Sequence, residues 1–121
     1  MDYVSIHMPL TKETKNMFNF KVLSSMKKSS IIINTSRGGV INEIDLNEAL
    51  NKNLIFGAGI DVFEKEPPEL NNPLLKNGKA FLSPHSATFT EECTERMGID
   101  TIQNIIDFFE NKLNKSMIVK L

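Results

Sequence analysis

The stretch Ile31-Ile32-Ile33-Asn34-Thr35-Ser36-Arg37-Gly38-Gly39, residues 31–39, joins a short β-branched run to a polar, glycine-containing ending. An unbroken apolar run of this length predicts a strand that is buried on both faces of a parallel sheet. Similar short runs predict three further strands at residues 3–8, 55–62 and 80–83. The stretch therefore predicts one member of a sheet of about four strands.

Segments with helical spacing alternate with these runs. Helices are predicted at residues 20–27, 42–52 and 90–113, and residues 67–79 are predicted to form a loop. Thr88 and Glu91 have capping-box spacing at the start of the long helix. Its apolar stripe consists of Ile102, Ile105, Ile106, Phe109 and Leu113. Strands that alternate with helices predict an α/β fold with a parallel sheet, right-handed crossovers and a long C-terminal helix.

Composition excludes several classes of protein. A chain of 121 residues suits one compact domain, and a net charge of -1 argues against binding to nucleic acid. One cysteine and two histidines are too few for a disulfide framework or a four-ligand structural zinc site, and no metal is expected. No signal peptide and no run of about 20 apolar residues is present, which predicts a cytoplasmic protein without a membrane partner.

A polar cluster follows the second predicted strand. Ligands of parallel sheets bind beyond the carboxyl ends of the strands, so residues at these positions are candidates for a site. The guanidinium of Arg37 can hold a carboxylate through two parallel hydrogen bonds. Gly38 and Gly39 would let the backbone come close to a ligand. A surface arginine before a turn is the alternative interpretation.

Acidic and histidine side chains follow the next two strands. Asp61, Glu64 and Glu66 lie at or just beyond the end of the third strand, where a solvated charged loop is the alternative interpretation. The prolines after Glu66 restrict the direction of its side chain. His85 follows the fourth strand, and imidazole is well suited to proton transfer near neutral pH. A neighbouring carboxylate stabilises the protonated ring, which suits a general acid. No serine or cysteine nucleophile motif is present.

Three segments together, residues 34–43, 57–67 and 83–87, resemble the D-isomer-specific 2-hydroxyacid dehydrogenases in order and spacing. Residues 2–11 and 90–97 are also similar, so the resemblance covers nearly the whole chain. The Glu-Pro-Pro sequence at residues 66–68 is closer to phosphoglycerate dehydrogenases and hydroxypyruvate reductases than to D-lactate dehydrogenases. The resemblance implies a Rossmann-like fold and hydride transfer between NAD, or NADP, and a small 2-oxo or 2-hydroxy acid.

The same resemblance implies roles for individual residues. Arg37 matches the arginine that binds the substrate carboxylate, His85 the acid/base at the 2-oxo oxygen, and Glu66 its acidic partner. Asp61 matches the residue that hydrogen-bonds the nicotinamide carboxamide. The other cofactor-side positions are His7, Met8, Pro9, Thr35, Ser36, Arg37, His85, Ser86 and Ala87.

The chain departs from the family pattern in one respect. It contains no Gly-x-Gly-x-x-Gly, the motif that binds the cofactor pyrophosphate, and no acidic residue for the adenosine ribose. Residues 1–121 are therefore expected to be the C-terminal half of an NAD-binding domain, without the glycine-motif half or the substrate domain. Such a fragment is expected to be inactive alone and to self-associate as a homo-oligomer through the edge strand at residues 3–8 or the long helix.

Two non-enzymatic alternatives remain open. A half-domain derived from such an enzyme could act as an interaction or regulatory module, for instance by pairing with a full-length relative. A transcriptional corepressor related to these dehydrogenases is the other alternative.

Overall fold

A parallel sheet of four strands forms the centre of the first part of the molecule. The structure, a computed structural model, describes residues 2–118 in two compact units, residues 2–87 and residues 88–118. The strands of the first unit lie in the order of the chain: β1 (Tyr3–Ile6), β2 (Ile31–Asn34), β3 (Gly57–Ile60) and β4 (Ala80–Leu82). All three pairings are parallel. The predicted α/β fold with about four parallel strands is thus confirmed.

Two helices connect the first three strands. Helix α1 (Phe20–Ser24) begins after Asn19, and helix α2 (Glu43–Asn51) begins after Asn42. Each asparagine accepts a hydrogen bond from a backbone amide of the first turn, which is the usual side-chain cap of a helix N-terminus. These caps explain why both helices begin where the sequence predicts them.

The core lies on one face of the sheet. Leu46, Ala49 and Leu50 of α2 are buried in a single cluster with Ile32 and Ile60 of the sheet. Right-handed crossovers between strands that follow one another in the same direction place their helices on the same face. Because the strands follow one another in chain order, the connecting helices cover the same face of the sheet, and the core lies on that face.

The prediction that β2 is buried on both faces is wrong for the described residues. Ile32 is fully buried, but Ile31 and Ile33, which point to the opposite face, are only partly buried. The neighbouring strands place Tyr3 and Phe81 on that face, with exposed fractions of 69% and 79%. Successive side chains of a strand alternate between faces, and within residues 2–87 the crossover helices cover only one.

Several element boundaries differ from the prediction by one to three residues. The strands are shorter than predicted, α1 ends at Ser24, and the predicted loop at residues 67–79 contains a 3-10 helix, Pro73–Lys76. Asn72 caps this short helix by accepting a hydrogen bond from Leu74 N at 3.0 Å.

The second unit consists mainly of one long helix, α3 (Glu91–Phe109). Its cap is Thr90 rather than the predicted Thr88, because the Thr90 hydroxyl accepts from Cys93 N at 3.2 Å. The helix ends at Phe109, before a left-handed residue, Asn111, so it is shorter than predicted. The helical part of its apolar stripe is exposed. Within residues 2–118, no helix has the length and apolar character needed to cross a bilayer.

Candidate active site

Three loops that follow β2, β3 and β4 bring Arg37, Glu66 and His85 to one cavity. The cavity has a volume of about 230 Å³. Its other lining residues are Leu10, Gly38, Val62, Phe63 and Glu64. As expected from the sequence, these three polar side chains lie beyond the carboxyl ends of parallel strands.

His85 and Glu66 form a hydrogen-bonded pair within this cavity. His85 Nδ1 lies 2.8 Å from Glu66 Oε2, and Glu66 Oε1 accepts from Phe63 N at 2.9 Å. The hydrogen bonds from His85 and from the Phe63 amide lower the pKa of Glu66, against the opposing effect of partial burial. Because Nδ1 is engaged by the carboxylate, Nε2 is the ring nitrogen left for a ligand.

Asp61 anchors the loop that presents His85. Its carboxylate, in a residue only 3% exposed, accepts hydrogen bonds from Ser83 Oγ at 2.5 Å, Ser86 N at 2.8 Å and Ala87 N at 2.9 Å. Burial raises the pKa of Asp61, but these hydrogen bonds outweigh it, and the pKa is lowered overall. The carboxylate therefore stays charged beneath the loop at neutral pH.

The backbone of His85 shows how firmly this loop is held. His85 has a φ of 53°, in the left-handed region that non-glycine residues rarely adopt. Its amide donates to the backbone oxygen of Asp61 at 2.9 Å. Such a conformation persists when surrounding contacts over-determine it, and the bonds to Asp61 supply those contacts.

Sequence reasoning did not identify this anchoring function of Asp61 and Ser83. The backbone amides of Ser86 and Ala87, predicted to be cofactor-side groups, donate internally to Asp61, so of their backbone polar groups only the carbonyls are left for a ligand. The contact between Asp61 and a carboxamide stays a prediction, since a carboxylate can accept about four hydrogen bonds.

A second buried polar side chain supports the Arg37 loop. Asn34, 2% exposed, accepts from Ser36 N at 3.1 Å and from Ser36 Oγ at 2.8 Å, and its amide donates to Arg37 O at 3.0 Å. The Arg37 guanidinium donates to Ser36 O at 2.6 Å. The signal that could have identified Asn34 was a polar residue at a core-facing position of an otherwise apolar strand.

Gly38 has a different function from the one expected. A Cβ built at Gly38 would lie 1.9 Å from Phe63 O and 2.5 Å from Glu64 N. The absence of a side chain thus lets the loops after β2 and β3 touch each other, rather than admitting a ligand. Gly39 has a φ of 81°, which favours glycine for conformational reasons.

A neighbouring cavity collects most of the predicted cofactor-side residues. Its volume is about 340 Å³, and its lining residues are His7, Met8, Pro9, Thr35, Ser36 and Arg37. His7 Nε2 lies 2.6 Å from Ser5 Oγ. The hydroxyls of Thr35 and Ser36 are suitable partners for the hydroxyl and amide groups of a nicotinamide nucleoside. Arg37 borders both this cavity and the one that contains the His85–Glu66 pair.

A third cavity, of about 490 Å³, lies on Asp61, Glu66 and His85 and is otherwise mainly apolar. Its apolar lining consists of Phe63, Pro67, Pro68, Leu75, Leu82 and Pro84. Asp61 and His85 thus line a different cavity from the one lined by the His7–Pro9 segment.

Comparison with known protein families gives a match at residues 1–87 to the family described as D-isomer specific 2-hydroxyacid dehydrogenase, NAD binding domain. A glyoxylate reductase of Korarchaeum cryptofilum is 40% identical over 117 residues, which are 97% of this chain and 35% of that protein. A glyoxylate/hydroxypyruvate reductase B of Escherichia coli is 38% identical over 117 residues, again 97% of this chain and 36% of that protein. The chain thus spans about a third of the length of these curated relatives.

Solved structures show the same similarity. The crystal structure of a D-isomer specific 2-hydroxyacid dehydrogenase from Lactobacillus delbrueckii ssp. bulgaricus, in an NAD-complexed form, superposes with a TM-score of 0.84 at 31% identity. The match covers 97% of this chain and 40% of that one. An acyclic imino acid reductase in complex with NADPH and D-Arg gives a TM-score of 0.82 at 33% identity, covering 93% of this chain and 36% of the other.

Proposed function

The chain belongs to the D-isomer-specific 2-hydroxyacid dehydrogenase family, and from this premise we propose that it carries the catalytic residues of a nicotinamide-dependent reductase of small 2-oxo acids. The observation that supports this best is the convergence of Arg37, Glu66 and His85 on one cavity. Besides a hydride donor, the reduction of a 2-oxo acid needs a cation that binds the carboxylate and a proton donor near the carbonyl oxygen.

Each of the three side chains has a separate task in the proposed reaction. The guanidinium of Arg37 binds the substrate carboxylate through two hydrogen bonds and orients the neighbouring carbonyl. His85 donates the proton from Nε2 to the 2-oxo oxygen, which becomes the hydroxyl group of the product. Glu66 stabilises the protonated ring through Nδ1 and fixes its orientation. In the reverse direction the neutral imidazole accepts the hydroxyl proton.

The cofactor of the proposed reaction is NAD or NADP, whose reduced nicotinamide supplies the hydride to C2 when it is bound. The family description and the cavity formed by His7, Met8, Pro9, Thr35 and Ser36 support a nicotinamide-side site in this chain. One of the solved relatives holds NAD and the other NADPH, so both cofactors belong to the proposal.

Glyoxylate and hydroxypyruvate are the proposed substrates. The support is that both curated relatives are named for reduction of glyoxylate and that the Escherichia coli relative is also named for hydroxypyruvate. Both substrates carry the carboxylate and adjacent carbonyl that Arg37 and His85 suit.

The chain is proposed to correspond to the C-terminal half of the NAD-binding domain, with the glycine motif and the substrate domain outside its 121 residues. Its one-third coverage of the relatives supports this division. A cytoplasmic location and a homo-oligomeric state remain predictions within the same proposal. The competing proposal is a non-catalytic interaction or regulatory module, which retains the fold without turnover.

An assay of the complete gene product tests the proposed function. We expect oxidation of NADH or NADPH with glyoxylate or hydroxypyruvate, and loss of this turnover in His85→Gln while cofactor binding is retained. Glu69→Gln, an exposed position in a nearby loop, is the matched control and should keep the activity. Absence of turnover with both acids and both cofactors would overturn the proposal.

Reading the gene upstream of Met1 separates the two candidate functions. An in-frame Gly-x-Gly-x-x-Gly segment supports the reductase, and its absence together with an independent promoter supports the interaction module.

A further inference from the structure

We propose that Asn34 is a positioning residue that sets the orientation of Arg37 toward a bound 2-oxo acid. The proposal rests on the proposed function, because the carboxylate-binding task of Arg37 belongs to it. It adds a residue to the site that does not line the cavity itself. The support comes from the burial of Asn34, its hydrogen bonds and its place in the sheet.

The side-chain hydrogen bonds of Asn34 all lead to the Arg37 loop. Its side-chain oxygen accepts from the amide and the hydroxyl of Ser36, and its side-chain nitrogen donates to the carbonyl of Arg37. One amide group therefore holds donors of Ser36 and an acceptor of Arg37 at the same time. An aliphatic side chain could make neither kind of contact, and a carboxylate could not donate to the Arg37 carbonyl.

The position of Asn34 in the sheet makes this support rigid. Asn34 is the last residue of β2, it pairs in register with Ile6 on one side and Ile60 on the other, and it is buried with the core. The loop that begins after it is thus attached to a central strand rather than to another loop. A site needs such support because misplacement of a binding group by about 1 Å can cost two orders of magnitude in rate.

Asn34 also connects the Arg37 loop with the loop of His85. The backbone oxygen of Asn34 accepts from Asp61 N at 3.0 Å, and the Asp61 carboxylate holds Ser83, Ser86 and Ala87 around His85. The loops of Arg37 and His85 are therefore supported by two buried polar residues, Asn34 and Asp61. These two residues are joined by a main-chain hydrogen bond.

Amide hydrogen exchange of the 121-residue chain and ligand binding by the complete gene product with NADH test the proposal, with Asn34→Ala as the main variant. We expect exchange of the Ser36 amide to become about tenfold faster in this variant, because its acceptor is removed. Oxamate, a stable analogue of a 2-oxo acid, is the probe, and its affinity measured by NMR titration should fall about tenfold.

Two further variants keep the test decisive. Ser36→Ala removes only the hydroxyl hydrogen bond to Asn34 and keeps the one from the Ser36 amide, so it should weaken oxamate binding in the same direction by a smaller factor. Ile32→Val removes one methyl group from the core of the same strand. It should lower the melting temperature while leaving oxamate affinity unchanged, because a loss of stability alone does not move Arg37.

The outcomes distinguish this inference from the proposed function. Unchanged Ser36 exchange in Asn34→Ala, or equal loss of oxamate affinity in Ile32→Val, would overturn the positioning role. If Asn34→Ala does not fold, unchanged oxamate affinity in Ser36→Ala would overturn it. If the wild-type gene product does not bind oxamate in the presence of NADH, the carboxylate-binding function of Arg37 fails, while exchange at Ser36 still decides whether Asn34 holds the loop.

Discussion

His85 Nδ1 and Glu66 Oε2 lie 2.8 Å apart, although the two residues are separated by 19 positions in the chain. The second oxygen of the same carboxylate is held by the Phe63 amide at 2.9 Å. Glu66 therefore connects the imidazole to the backbone of the preceding loop. In the proposed reaction this connection keeps Nε2 directed toward the substrate and stabilises the ring after it gains a proton.

Glu66→Gln should lower turnover by the complete gene product about 100-fold at neutral pH, because general acid catalysis typically contributes a factor of this size. The amide keeps the shape of the side chain but removes the charge beside the imidazole. Values of kcat and KM for both proteins measure the effect, and the loss should appear in kcat. An unchanged kcat would show that Glu66 is not the partner of the catalytic acid.

Acid should destabilise the chain through Asp61 and Glu66. Both carboxyl groups have pKa values that are lower in the folded chain than their ordinary values of about 3.9 and 4.3. Their contribution to stability is therefore present above the unfolded-state pKa and is lost as the pH falls through the lower folded-state pKa. Urea unfolding at pH 7, 5, 4 and 3 should show the loss below about pH 4.5.

Matched variants assign that acid-dependent loss. Glu66→Gln should reduce the decrease in unfolding free energy between neutral and acid pH, because one contributing carboxyl group is gone. Glu69→Gln removes an exposed carboxyl group and should leave the decrease as in the wild type. Equal curves for both variants would contradict the assignment to Glu66.

Gly38→Ala should destabilise the chain by about 3 kcal/mol, at the upper end of the usual cost of overpacking. The added Cβ would lie 1.9 Å from Phe63 O, and backbone atoms cannot move aside as a flexible side chain can. Gly78→Ala is the control, because no atom lies within 4 Å of a Cβ built there. Chemical denaturation of the two variants measures the difference, and equal stabilities would refute the loop contact.

The 121 residues alone should show no measurable turnover. They carry Arg37, Glu66 and His85, but catalysis also needs a fully bound cofactor and exclusion of water from the reacting groups. NADH oxidation with glyoxylate, hydroxypyruvate or phosphohydroxypyruvate is the measurement. Robust turnover by the purified chain would contradict the expectation.

The chain should self-associate through the edge of its sheet. Strand β1 pairs only with β2 among the described residues, and an exposed strand edge promotes pairing with another chain. Ser5→Lys places a charge on β1 and should shift light scattering toward monomer. Ile44→Lys, on an exposed position of α2, should not. A clean wild-type monomer at high concentration would contradict this prediction.

The sequence was sufficient for the sheet and for the three side chains around the cavity. Apolar runs at regular separation predict β2 and its neighbours, and the ends of parallel strands meet at one edge, so Arg37, Glu66 and His85 could be placed together. The exposed side of β2 could not be predicted, because the run of isoleucines does not reveal which face the crossover helices cover.

The supports of the site were beyond sequence reasoning for a different reason. The anchoring role of Asp61 depends on donors at Ser83, Ser86 and Ala87, more than twenty positions away. Gly38 looked like a ligand-facing glycine until the backbone of Phe63 was found against it. Such roles follow from the folded positions of distant segments, which local patterns do not contain. The cap of α3 was also ambiguous, since Thr88 and Thr90 are chemically equivalent.

The contact between Gly38 and the backbone at Phe63 joins two loops that carry opposite charges. Arg37 precedes this contact in one loop, and Glu66 follows it in the other. Because backbone packs directly on backbone at this point, the separation between the proposed anion-binding group and the proposed acid partner is fixed by the main chain rather than by side-chain rotamers.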